Sequence, residues 1–200
     1  MGLEGKLMAR VNSICVYCGS SNLVDAKYQD AARRLGRILA ENGIRLVYGG
    51  GRVGLMGICA DAVLAHGGRA LGIIPHHLDT QEVGHRGVDL RVVPSMHVRK
   101  QMMFEESDAF AVLPGGIGTL DETFEIITWR QLGLHDKPIV IVNEAGYWDS
   151  FLSLLEHMIG AGFARPTIRK LYSVVGRVED LLPDIMVEPE PMTAAQASKL

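Results

Sequence analysis

At 200 residues, with 48% hydrophobic and 22% charged residues, the chain has the make-up of one folded domain with a sizeable core, not of a disordered segment. Its net charge is −3 and no basic block stands out, which excludes a sequence-independent grip on nucleic acid. No apolar stretch reaches the length of a membrane span. From the N-terminus, residues 1–10 read as a tail. The opening MGLEGKLMARVNS lacks the apolar core of a signal peptide, and Lys6 stands where a myristoylation pattern needs Ser or Thr. Three cysteines without an export signal lead us to expect reduced thiols and a cytoplasmic protein.

Short apolar runs then alternate with helix-length amphipathic segments. Ser13–Tyr17, Ile44–Tyr48, Ala70–Ile74, Leu90–Val93, Ala109–Leu113 and Ile139–Asn143 read as strands. They are continuous and do not alternate, as strands covered on both faces should be. Helices are predicted near 25–42, 54–66, 95–106, 119–132 and 147–160, with Asn42-Gly43 and Gly67-Gly68 as stop signals for the first two. The order implies an α/β fold, a Rossmann-like three-layer arrangement with a parallel sheet flanked by helices. One domain is expected over 11–183, with a C-terminal tail over 184–200. Ligands of such sheets bind beyond the C-terminal strand ends, where the loops Cys18–Ser21, Gly49–Gly57, Pro75–Gly87 and Pro114–Thr119 fall.

Gly49-Gly50-Gly51-Arg52-Val53-Gly54 satisfies the dinucleotide fingerprint G-x-G-x-x-G. It follows the second strand instead of the first, and the next strand ends Ile73-Ile74-Pro75-His76 without the acid that would hold a ribose. A nicotinamide enzyme is disfavoured, although the glycines leave room for a nucleotide edge. Cys15 and Cys18 form one C-x-x-C, with only Cys59 left for a second pair, so buried free thiols are the better reading. None of His76, His77, His85 and His97 has a recognised ligand spacing, and no metal is expected.

If Ser95 caps the following helix, Met96, Arg99, Lys100 and Met103 share one face. The plain account has the cationic stems covering apolar surface while their charges reach water. The alternative is a basic wall for a phosphate or carboxylate. The stretch Leu113-Pro114-Gly115-Gly116-Ile117-Gly118-Thr119-Leu120-Asp121-Glu122 also has two readings. Thr119 and Glu122 fit a capping box. A cap does not call for three glycines, whereas a phosphate cradle at a helix start does. The helix N-terminus would then keep Glu122 ionised, as a base requires.

Met96-His97-Val98-Arg99-Lys100 followed by Pro114-Gly115-Gly116-Ile117-Gly118-Thr119-Leu120-Asp121-Glu122 resembles the paired signatures of the LONELY GUY family. These are cytokinin riboside 5′-monophosphate phosphoribohydrolases, often labelled lysine decarboxylases. The likeness runs from about Ile14 to about Val175 and takes in Cys18-Gly19-Ser20-Ser21, Tyr48-Gly49-Gly50-Gly51, Gly54-Leu55-Met56-Gly57 and Ile127-Thr128-Trp129. The resemblance implies a homodimer that hydrolyses the N-glycosidic bond of N6-substituted adenosine 5′-monophosphates, or of AMP itself, without a cofactor. It implies Arg99 and Glu122 as the catalytic pair. Lys100, Gly115, Gly116, Ile117, Gly118, Thr119, Leu120, Asp121 and Thr128 would line the substrate together with Arg99. Glu82 is the match for the family's loop glutamate, in a loop from Gln81 to Pro94 that is longer than in plant members. The chemistry agrees: an oxocarbenium-like state is stabilised by a nearby carboxylate that can also orient water. The competing class is a nucleotide or cofactor carrier of the same fold that binds without hydrolysis.

Overall fold

The computed structural model describes residues 11–79 and 83–186. Seven strands form one sheet: β1 (Ser13–Tyr17), β2 (Arg45–Tyr48), β3 (Ala70–Pro75), β4 (Asp89–Val93), β5 (Ala109–Val112), β6 (Ile139–Val142) and β7 (Ser173–Val175). Their order is β4-β3-β2-β1-β5-β6-β7, and every pairing is parallel. The helices are α1 (Ala26–Glu41), α2 (Gly54–Ala65), α3 (Met96–Glu105), α4 (Ile117–Gln131), α5 (Asp149–Gly160) and α6 (Leu181–Ile185). All six strands and five helices expected from the sequence are present. β7 and α6 were not foreseen, and α6 carries the packed chain through Ile185, past the boundary at 183.

Alternate residues of the inner strands β1, β2, β3, β5 and β6 feed two cores, which is why these strands read as continuous apolar runs. On one face Ile14, Val16, Leu46 and Val140 pack against Leu35 and Leu39 of α1, Leu55 and Val63 of α2, and Leu182 and Ile185 of α6. On the other, Cys15, Tyr17, Val47, Phe110 and Ile141 meet Met103 of α3, Ile126 of α4, and Phe151 and Leu155 of α5. The edge strands β4 and β7 are partly exposed and shorter in apolar content, as edges are. At the N-terminal end of the sheet, Asp108 joins the two halves. Its Oδ2 accepts from Ser13 N at 3.0 Å and from Ser13 Oγ at 2.9 Å, tying the chain just ahead of β5 to β1.

The crossing from β1 to β5 is where the connections change direction, so a crevice opens above their C-terminal ends. The loop after β5 and the start of α4 stand at its edge. Gly19 N, beyond β1, donates to Pro114 O at 3.0 Å and closes the floor between them.

Candidate active site

Ser95 caps α3 as expected, with its hydroxyl accepting from Val98 N at 3.2 Å. The helix therefore starts in a register that turns Arg99 towards the sheet. Arg99 is only 8% exposed. Its Nε donates to Ile73 O at 3.1 Å, and its Nη1 donates to Glu122 Oε1 at 2.6 Å. The charge does not reach water, so the covering-stem account fails for this residue: it is buried because a carboxylate and a strand-end carbonyl receive it. Met96, assigned to the same packed stripe, is 39% exposed instead. Lys100 Nζ lies 3.2 Å from Asp121 Oδ2 and 3.1 Å from Glu125 Oε1. Burial works against its ammonium charge, but the bonds it donates to Glu125 and Asp121 prevail and hold the group above the ordinary lysine value.

The capping box does not form. α4 begins two residues earlier than Thr119, with Gly116 at the N-cap and no side chain bonding there. Thr119 thus lies within the first turn. Its side chain packs on Gly115, where a Cβ would stand 2.1 Å from Thr119 Oγ1, so that glycine is required by close approach. Glu122 falls beyond the first turn, out of reach of the Thr119 amide and of most of the helix-terminal potential. Its charge is supported by Arg99. Burial raises the Glu122 carboxyl above the usual glutamate value, and the Arg99 charge only partly pulls it back.

What the missing cap leaves is an open helix start. A Cβ at Gly116 or Gly118 would meet nothing within 4 Å, and Ile117 is 82% exposed. By contrast Asp25 caps α1, Ser95 caps α3, and Asn22 Oδ1 accepts from Gly54 N at the start of α2. The loop is pinned from the far side by Tyr147, whose hydroxyl donates to Gly115 O at 2.7 Å. Sequence reading missed Tyr147, because nothing in its spacing links it to a loop 32 residues away. Ala145 and Gly146, with φ of 52° and 72°, make the left-handed turn that delivers it.

Gly115, Gly116, Ile117, Gly118, Thr119, Leu120 and Asp121 therefore come together with Arg99, Lys100 and Glu122. Thr128 does not join them: it is exposed on α4, six residues and about 9 Å of helix rise beyond Glu122. Glu82 lies outside the described residues. Cys15, Cys18 and Cys59 are buried and free, and burial pushes all three thiols up, that of Cys59 to about 12. None is primed as a nucleophile. Among the described residues no group of three or more His, Cys, Asp or Glu is arranged to hold a metal ion. Because the histidines and cysteines show no recognised ligand spacing in the sequence, turnover is expected to survive exhaustive EDTA treatment. Activity lost on chelation and restored by a single divalent cation would refute that expectation.

A family model described as "Possible lysine decarboxylase" matches residues 56–185. A cytokinin riboside 5′-monophosphate phosphoribohydrolase of Arabidopsis thaliana is 46% identical over 174 residues, spanning 86% of this chain and 81% of that protein. The chain belongs to the LONELY GUY family. Another family member, a probable cytokinin riboside 5′-monophosphate phosphoribohydrolase of Oryza sativa subsp. japonica, is 44% identical over 193 residues, or 96% of this chain and 78% of that one. Among solved structures, the molybdenum cofactor carrier protein of Chlamydomonas reinhardtii superposes with a TM-score of 0.67 at 20% identity, over 88% of this chain and 96% of that one. At that identity the likeness shows that this LONELY GUY protein shares the carrier's fold, and no more. Among the described residues, no helix is long and apolar enough to cross a membrane.

Proposed function

We propose that the Arg99–Glu122 pair and the open glycine loop carry the chemistry of this enzyme. The reaction is hydrolysis of the N-glycosidic bond of cytokinin riboside 5′-monophosphates to the free base and ribose 5-phosphate. The observation that supports the site most directly is the buried carboxylate just beyond the first turn of a helix whose start no side chain caps. Gly118 and Glu122, four residues apart, share a face and are separated by about 6 Å of rise. That spacing suits a ribose 5-phosphate whose phosphate accepts from the amides of the Gly116–Thr119 loop and whose anomeric carbon lies near Glu122.

In the reaction the bond from the anomeric carbon to the base nitrogen breaks, and its electron pair leaves with the base, which takes up a proton. Glu122 opposes the positive charge that develops on the sugar and orients a water. The water oxygen bonds to the anomeric carbon and its proton passes to the Glu122 carboxylate, which returns it to solvent, and the departing base nitrogen takes its proton from solvent in turn. Arg99, with Nε and Nη1 both engaged, fixes the Glu122 carboxylate; the phosphate is left to the loop. Lys100 adds positive charge beside it, held by Asp121 and Glu125.

AMP is expected to be cleaved at least about a hundredfold better than adenosine in kcat/KM, because two charge-assisted bonds at about 1.5–3 kcal/mol each supply that much. Equal values for nucleotide and nucleoside would remove the phosphate from the account. A carrier of the same fold would bind AMP and release no adenine, so the same assay separates the two classes. We assign the protein to the cytoplasm and to a homodimer. In a homodimer the exposed Thr128 face of α4 can meet a second copy, which would allow Thr128 to line the neighbouring site. Light scattering on the purified protein tests this, and a monomer that retains full turnover would exclude it.

A further inference from the structure

We infer that Gly49 is a positioning residue: the absence of a side chain there is the seat in which the Arg99 guanidinium rests. This builds on the reading of Arg99 and Glu122 as the working pair. Gly49 follows β2, is buried, and has no positive φ, so its backbone conformation is open to any residue. Gly50, its neighbour, has φ of 74° and owes its identity to the turn. Gly49 owes its identity to what lies above it. A Cβ there would stand 2.1 Å from Arg99 Nη2 and 3.3 Å from Arg99 Cζ, with Met56 Sδ at 3.1 Å.

The guanidinium is thus held on three sides. Ile73 O takes Nε, Glu122 takes Nη1, and the bare Cα of Gly49 lets Nη2 lie against the end of β2. Adding one methyl group leaves the backbone unstrained and moves the guanidinium. Because Arg99 is buried and its bond to Glu122 is short, even a small displacement costs the pair its alignment. The glycine run therefore serves here as a fitting for a side chain. The dinucleotide-type pattern of residues 49–54 is met on other grounds.

The test is a double-mutant cycle with Gly49→Ala, Arg99→Ala and the double variant, read by thermal melts and by kcat and KM for AMP. Gly49→Ala alone should lower kcat by about tenfold or more while KM stays within about threefold, since the phosphate loop is untouched. It should also lower the melting temperature. In the Arg99→Ala background the same substitution should leave the melting temperature nearly unchanged, because the guanidinium is gone and the remaining close neighbour, Met56 Sδ at 3.1 Å, is a flexible side chain that need yield only slightly. An equal drop in both backgrounds, or a double variant that fails to fold where Arg99→Ala folds, would make Gly49 a backbone residue and overturn the inference. Full kcat in Gly49→Ala alongside a dead Arg99→Ala would overturn it too. Normal turnover in Arg99→Ala would instead refute the reading of the pair, while the melts would still decide whether Gly49 seats Arg99.

Discussion

Glu122→Gln is expected to bind AMP and to lose turnover by about a hundredfold or more, the usual scale for removing general base action. The amide still accepts a bond from Arg99 Nη1, so the shape of the site is retained. Its lack of charge leaves the buried guanidinium uncompensated, and a stability loss of about 1–3 kcal/mol should accompany the substitution. Since the helix cap does not involve Glu122, the start of α4 should be unaffected. The pH profile is the second readout. The working form of Glu122 is ionised, and burial raises its carboxyl. Wild-type kcat should therefore be present at neutral pH and fall on the acid side through a midpoint above the ordinary glutamate value of about 4.3. The residual activity of Glu122→Gln should lack that limb. A variant that keeps near-normal turnover, or the same acid limb, would show that Glu122 is only structural.

Arg99→Met should be inactive and also markedly less stable, by about 3–5 kcal/mol, because it leaves a carboxylate buried without its partner. Glu122→Leu combined with Arg99→Met should recover most of that stability while remaining inactive, since apolar residues can replace both members of a buried pair. Chemical denaturation of the two variants, with adenine release measured on the same samples, separates the contributions. A double variant as unstable as the single one would mean that the cost of Arg99→Met is lost packing. A double variant that still turns over would move the chemistry elsewhere.

Most of the architecture can be read from the chain because a doubly covered parallel sheet writes its strands as uninterrupted apolar runs. β7 escaped notice because Ser173-Val174-Val175 is too short and too exposed to make such a run. The site was legible in residue types and obscure in geometry. Thr119-Leu120-Asp121-Glu122 fits a cap and fits a catalytic segment equally well, and only the helix start at Ile117 decides between them. Arg99 looked like a stem covering the core because its partner lies on another helix, 23 residues away. The roles of Gly49 and Tyr147 depend on contacts between distant elements, which no local pattern encodes.

The tie between Ser13 and Asp108 bridges 95 residues, and every strand pairing in the sheet is parallel. Among the described residues no hairpin of paired strands is available as a quick nucleus, and each pairing must close a long loop before it contributes. The molecule should therefore refold slowly for its size, as chains dominated by non-local contacts do. During synthesis the half carrying β1 to β4 emerges first, with Arg99 and its place over β2 and β3 already in the same segment. Glu122 arrives only with the second half. Closure of the Arg99–Glu122 pair therefore waits until β5 docks beside β1, and it reports that the two halves have joined.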